Sequence, residues 1–189
     1  YSIVNNKKVL MLGTNNYLGL SNHPKLKTAA IKAVEKYGVG SGSVRTISGT
    51  MDLHLKLEET IARFKHSQAA LYFQTGFATN AGGIPQLLDE KTAVVSDELN
   101  HGSIIDGIRL SKSEKFIYKH VNMEDLEQKL KQAKEKYHKI WIITDGVFSM
   151  DGDIAPLDRI YELAMQYDAY IWVDDAHGDG VLGDHGRGI

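Results

Sequence analysis

Asp174 and His177 close the run Ile171-Trp172-Val173-Asp174-Asp175-Ala176-His177-Gly178. The apolar, partly β-branched residues ahead of Asp174 predict a buried strand, and the glycine-ended stretch after it predicts a loop. In an open α/β sheet, ligands gather at the carboxyl ends of the strands. Asp174 at the last strand position and His177 in the following loop therefore bring a fixed anion and an imidazole to one small volume. What that pair can do depends on what the other strand ends carry.

Three more strand-to-loop junctions carry polar or glycine-rich groups. Gln74-Thr75-Gly76-Phe77-Ala78-Thr79-Asn80 leads into a predicted helix. Free N–H groups at a helix start, a glycine for close approach and a threonine hydroxyl suit a phosphate, although a plain helix cap uses the same residues. Ser96-Asp97-Glu98-Leu99-Asn100-His101-Gly102-Ser103 places His101 at a helix start over the sheet edge. Thr144-Asp145-Gly146-Val147-Phe148-Ser149-Met150-Asp151-Gly152-Asp153 adds a serine and several carboxylates. One ligand accounts for most of these pieces. Pyridoxal 5′-phosphate has a phosphate for Thr75-Gly76-Phe77, a ring face for His101, a phenolic oxygen for Ser149 and His177, and a pyridine nitrogen for Asp174. The protein's part in such chemistry is to place the cofactor and hold its pyridinium charge.

Competing chemistries fit less well. Asp151 and Asp153 resemble part of a calcium loop, but no further acidic residue has EF-hand spacing. Asp174, Asp175, His177, Asp179 and His185 lack the helical histidine pair or cysteine set of a metal site, so no metal is expected. Gly38-Val39-Gly40-Ser41-Gly42-Ser43 follows a helix rather than a strand, the wrong context for a dinucleotide fingerprint. No G-x-S-x-G nucleophile elbow occurs.

The elements that must position these residues alternate along the chain. Strands are predicted at 69–73, 92–96, 115–118, 140–144 and around Ile171. Helices lie between them, one over about 76–88, one from near His101, one carrying Leu126, Leu130 and Ala133, and one from Pro156. The fold class is therefore α/β, with a mainly parallel sheet covered by helices on both faces. Ahead of it, residues 1–50 form an arm: a hairpin around Asn5-Asn6-Lys7-Lys8, a helix from Ser21-Asn22-His23-Pro24 to Gly38, and a Gly/Ser-rich segment with Arg45. A second helix with Leu53, Leu57, Ile61 and Phe64 opens the 51–189 domain. The 189 residues carry a net charge of −2, no cysteine and no long apolar run. Nucleic acid and membrane partners are not expected, and a cytoplasmic location is. The chain begins without methionine and ends directly after a Gly186-Arg187-Gly188 loop, as a piece of a longer protein would.

In this order the motifs resemble the α-oxoamine synthase branch of the fold-type I pyridoxal-phosphate enzymes over nearly the whole chain. The resemblance rests on Asn15-Asn16-Tyr17-Leu18-Gly19-Leu20, Gly40-Ser41-Gly42-Ser43-Val44-Arg45, Thr75 to Asn80, Asp97 to His101, Gly146 to Asp153, and Asp174 to Gly178. It implies the large domain of the fold-type I aminotransferase-like architecture, truncated at its C-terminus. Gly76 and Phe77 would then hold the phosphate through their backbone, with Thr75 assisting. His101 stacks on the ring, Asp174 pairs with its nitrogen, Ser149 and His177 address its phenolic oxygen, and Asn16 contributes to the substrate pocket. His101, Asp174 and His177 are the catalytic candidates. The family works as a homodimer with active sites at the interface, to which the Arg45 segment would contribute. The family's Schiff-base lysine falls beyond this chain, as does the arginine that grips the substrate carboxylate. Leu110-Ser111-Lys112 mimics the lysine's local context, but Lys112 is a decoy.

Within the branch, Ser43 to Thr50, Ser96 to Gly107 and His120-Val121-Asn122 look similar to glycine C-acetyltransferase, which condenses glycine with acetyl-CoA to 2-amino-3-ketobutyrate and CoA. The alternative is 8-amino-7-oxononanoate synthase, which uses alanine and pimeloyl-CoA. A third reading, from another class, is a non-catalytic partner subunit of the kind found among relatives that lack the lysine.

Overall fold

The apolar run that begins at Ala93 becomes the centre of a parallel sheet. The computed structural model describes residues 1–189, which divide into two units, Tyr1–Ala70 and Leu71–Ile189. In the second unit, β3 (Thr92–Asp97), β4 (Glu114–Tyr118), β5 (Lys139–Asp145) and β6 (Ala169–Asp174) form one sheet in the order β4-β3-β5-β6. All three pairings are parallel. The crossovers are helical: α4 (Gly102–Leu110), α5 (Met123–Lys134) and α6 (Leu157–Tyr167), with α3 (Gly76–Leu87) ahead of β3.

Successive strand residues face opposite sides, and this alternation makes two cores. Ala93, Val95, Ile140 and Ile142 pack with Leu126, Leu130 and Ala133 of α5 and Ile160 and Leu163 of α6. Val94 and Ile143 pack on the other face with Ile84 of α3 and Ile104 and Ile108 of α4. Every residue of β3 is buried because it has a strand on each side and helices above and below. By contrast, the predicted buried strand before Asp174 is only partly covered. It lies at the sheet edge, paired with β5 alone.

One predicted strand does not form. Residues 69–73 have a strand-like composition but join no sheet, and Leu71 is exposed. An alternating apolar run becomes a strand only when a neighbour accepts its backbone hydrogen bonds.

In the first unit, β1 (Ser2–Val4) and β2 (Lys7–Val9) make an antiparallel hairpin. Its turn is tighter than the four-residue linker expected. Asn5 and Asn6 both take positive φ, which suits a two-residue turn whose twist matches the strands. The next helix, α1 (Pro24–Tyr37), starts with proline at its first position and with the His23 imidazole accepting the Lys25 N–H at 3.2 Å. A π-helical turn at Arg45–Gly49 precedes α2 (Asp52–Lys65). The Arg45 guanidinium forms a two-pronged pair with Glu58 of α2. Gly49 is required there, since a Cβ would lie 1.9 Å from the Ser43 carbonyl oxygen. No residue of α1 or α2 is buried.

Candidate active site

The strand register puts Asp145, the last residue of β5, beside Asp174, the last of β6. The Asp174 carboxylate is fixed at both oxygens: Oδ2 accepts from Asn80 Nδ2 at 2.7 Å and Oδ1 from the Ala176 N–H at 3.2 Å. Neither partner is a cation, so the carboxylate is oriented without its charge being neutralised. Asn80 lies on α3, one turn beyond Gly76, and is itself buried. Its Oδ1 accepts from Trp172 Nε1 at 3.1 Å, and its Nδ2 also donates to Ser103 Oγ at 2.9 Å. That bond depends on Gly107, where a Cβ would stand 2.5 Å from the Asn80 carbonyl oxygen. Glycine there lets α4 close onto α3.

The network continues to His101, the cap of α4. Its Nδ1 lies 2.7 Å from Ser103 Oγ and accepts the Ser103 N–H at 3.2 Å. Nδ1 as acceptor leaves the ring proton on Nε2. The His101 N–H donates to Asp145 Oδ2 at 2.6 Å. Asn100 holds the other side of this corner. It donates to Ser96 Oγ and to the Ile143 carbonyl oxygen, and its own oxygen accepts the Asp145 N–H at 2.8 Å. Burial pushes the Asp145 carboxyl up to about 6, with the His101 N–H opposing, the Asp174 charge adding, and the His101 and His177 imidazoles opposing. His177, half-buried in the loop after β6, is thus within electrostatic reach of Asp145.

On α3, Thr75 Oγ1 accepts the Ala78 N–H at 3.0 Å, which leaves the Gly76 and Phe77 N–H groups at the helix start without an intrahelical partner. A Cβ built at Gly76 meets nothing within 4 Å, so the space there is open. Ser149 sits on the exposed turn after β5, whose ends pair at Val147 and Ile154. Asn16 belongs to the first unit, where its side-chain oxygen accepts the Ser21 N–H at 3.2 Å. Lys112 follows α4, at the start of β4, so it lies at the amino ends of the strands while Asp145 and Asp174 lie at the carboxyl ends.

The network therefore links Asp174, His101 and the first turns of α3 through three residues to which the sequence reading gave no role: Asn80, Ser103 and Asp145. One sequence signal was available. Asn80 precedes the small and apolar run Ala81-Gly82-Gly83-Ile84 of α3, where a polar side chain needs a buried partner. The arrangement suits pyridoxal phosphate: an oriented carboxylate with no cationic partner, helix-start N–H groups beside open space at Gly76, and an exposed imidazole tied to the carboxylate through Ser103 and Asn80.

The profile of the family "Aminotransferase class I and II" matches residues 7–188. A curated 8-amino-7-oxononanoate synthase from Thermosipho melanesiensis is 59% identical over 187 residues, covering 99% of this chain and 48% of that protein. A serine palmitoyltransferase variant from S. paucimobilis, solved with a bound PLP–myriocin aldimine, superposes with a TM-score of 0.94 at 33% identity, over 98% of this chain and 46% of that one. An 8-amino-7-oxononanoate synthase from Francisella tularensis gives 0.75 at 34% identity, over 93% and 48%. The chain belongs to the aminotransferase class I and II family, in its α-oxoamine synthase branch, whose cofactor is pyridoxal 5′-phosphate. It spans about half the length of the curated relatives it matches.

The expected glycine C-acetyltransferase identity is not supported by these relatives, two of which carry the name of the alternative. Of the runs that suggested it, Ser96 to Gly107 and His120 to Asn122 lie at the ends of β3 and β4, and Ser43 to Thr50 lies in the first unit. No helix is long and apolar enough to cross a membrane.

Proposed function

We propose that the full-length protein is a pyridoxal-phosphate-dependent acyltransferase that joins alanine to pimeloyl-CoA, as an 8-amino-7-oxononanoate synthase. The observation that carries the cofactor side is the Asp174 carboxylate, held by Asn80 and Ala176 with no cation beside it. The 59% identity to a named synthase supports the substrate pair.

Pyridoxal phosphate, when bound, supplies a protonated ring that withdraws electrons from the substrate amino acid. Asp174 keeps the proton on the ring nitrogen by its charge, and Asn80 keeps Asp174 in place. The Gly76 and Phe77 N–H groups, with Thr75 ordering the helix start, bind the phosphate. His101 covers the ring face; its imidazole is oriented by Ser103 and its backbone is tied to Asp145. Ser149 and His177 address the phenolic oxygen, and Asn16 helps shape the amino-acid pocket. The uncovered apolar faces of α1 and α2 support a homodimer in which the first unit, including the Arg45 turn, serves an interface. The cofactor-contacting positions present in this chain weigh against a non-catalytic partner subunit.

The substrate assignment is tested by CoA release from the full-length protein. Alanine with pimeloyl-CoA should exceed glycine with acetyl-CoA in kcat/KM by at least about tenfold, the scale on which pockets discriminate chain length. Equal or reversed preference overturns it.

A further inference from the structure

His120 lies outside the network just described, yet it spans two of the loops that frame it. Its Nδ1 is 3.0 Å from Asp97 Oδ1 and its Nε2 is 3.2 Å from Asp153 Oδ2. Asp97 closes β3 and its side chain is almost fully buried, whereas that of Asp153 is mostly exposed. The imidazole also packs edge-on against Phe148, with ring centroids 4.4 Å apart at 83°. Phe148 and Asp153 are the two sides of the turn that carries Ser149. Inside that turn the Phe148 N–H donates to the Asp153 carbonyl oxygen at 2.9 Å and the Gly152 N–H to the Phe148 carbonyl oxygen at 2.8 Å.

The base of this clamp is built at some cost. Val121, next to His120, has φ +53, a left-handed conformation that a β-branched residue rarely adopts. Asp97 Oδ2 holds it there by accepting the Val121 N–H at 3.0 Å, while Glu98 accepts the His120 N–H at 2.9 Å. Strain of this kind persists only where the surroundings over-determine it. Here they aim the imidazole at the turn.

We infer that His120 is a positioning residue: bridging Asp97 and Asp153 and packing on Phe148, it fixes the turn so that Ser149 is presented to the cofactor. This rests on the reading of Ser149 given above. Both ring nitrogens can donate to carboxylates only in the imidazolium form. The charged groups around it are Asp97 and Glu98 from β3 and its exit, Asp153 from the turn, and Lys119 and Asp125, which are joined through the Lys119 N–H at 2.7 Å. The buried Tyr118 phenol, raised first by burial and then by Asp97, stays neutral beside them. For His120 itself burial works downward, but the hydrogen bonds and charges of Asp97 and Asp153 outweigh it and the pKa is raised. The clamp is therefore complete below the ordinary histidine range and loses its exposed Asp153 end as pH rises through the raised value.

The test uses hydrogen exchange at the Phe148 and Gly152 amides in the full-length protein without cofactor, at about pH 6 and about pH 9 and corrected for intrinsic rates. Wild-type protection should fall by about tenfold across that range, the scale of one charge-assisted hydrogen bond. His120→Gln should exchange fast at both pH values. Asp153→Asn changes only the exposed end and should likewise remove the pH dependence, so the test survives if His120→Gln fails to fold. Retained protection and pH dependence in both variants overturn the clamp. Pyridoxal phosphate binding then tests its purpose: Ser149→Ala and His120→Gln should each weaken affinity, and the double variant should be no weaker than the poorer single one. Additive losses overturn the positioning role while leaving the cofactor reading of Ser149 intact. Wild-type affinity in Ser149→Ala overturns that reading, whatever the exchange data show.

Discussion

Ile142 in the second unit and Ile61 in the first both occupy regular elements, yet Ile142 is fully buried and Ile61 is 40% exposed. The contrast extends to whole elements. The strands and helices of the second unit supply each other's cover, one core on each face of the sheet. In the first unit, Leu53, Leu57, Ile61 and Phe64 stand at helical spacing on α2 and all remain substantially exposed. Both units write an apolar face into their sequence, but only the second contains the surface that covers it. The polar groups divide in the same way. In the second unit Asn80, Asn100, Ser103 and Asp145 are buried and bonded to one another's elements. The Arg45–Glu58 pair is the first unit's nearest counterpart, and it ties only neighbouring segments.

The comparison supports placing the proposed cofactor chemistry in the second unit, and the largest expected effect tests that. In the full-length protein, Asp174→Asn should lower turnover by about a thousandfold while changing the melting temperature little. An ion pair in contact at an effective dielectric near 20 is worth about 4 kcal/mol, or about three orders of magnitude. Asparagine keeps the shape and an oxygen for the Asn80 amide, but not the field. If Asp174 merely capped the following loop, the variant would lose about 1 kcal/mol of stability and keep its turnover. Melting temperature and CoA release on the same preparation separate the two.

A second, smaller effect tests whether the buried polar corner is under electrostatic load. The folded Asp145 carboxyl titrates at about 6, above the ordinary aspartate value of about 3.9. Between those values the folded protein binds more protons than the unfolded chain. The stability this group contributes is present below about pH 4, declines as pH rises, and is lost above about pH 6. That difference corresponds to roughly 3 kcal/mol. Asp145→Asn retains an oxygen for the His101 N–H and removes the titration. Denaturant unfolding should show it more stable than wild type at neutral pH, with the advantage vanishing near about pH 4. Parallel pH profiles would mean that Asp145 is relieved by contacts other than those described.

The same contrast explains what could be read from the sequence. The alternation of apolar runs and amphipathic stretches from Thr92 onward predicted β3 to β6 and their helices, because in that region each element is covered by its sequence neighbours. Residues 69–73 carried the same pattern and form no strand, since pairing is a property of two segments and composition describes one. Asp174 and His101 could be singled out as candidate ligand-facing residues because strand ends and helix starts have local signals. Asn80, Ser103 and Asp145 were not, because what makes them important is a hydrogen bond across 23 to 94 positions of chain. The choice between glycine C-acetyltransferase and 8-amino-7-oxononanoate synthase failed for a related reason. Two of the runs weighed lie at the ends of β3 and β4 and the third lies in the first unit, and short runs of this kind carry no measure of acyl-chain length.

The smallest effect addresses the opening contrast directly. Ile→Val removes one methyl group, worth about 1 kcal/mol where the side chain is fully packed. Ile142→Val should therefore cost about 1 kcal/mol in denaturant unfolding of the full-length protein at any protein concentration, because its neighbours are β5's own sheet, α5 and α6. Ile61→Val lies on a face that the first unit leaves open. If a second copy of the protein covers that face, as the homodimer reading requires, the methyl group contributes only in the associated state. Its loss should then appear as weaker association: little change at high concentration, and a lower unfolding midpoint as the protein is diluted through the range where dimers dissociate. A concentration-independent cost equal to that of Ile142→Val would place the cover within the protein's own chain. No cost at any concentration would show that the α2 stripe is not an interface. Each result assigns the missing surface to a different source.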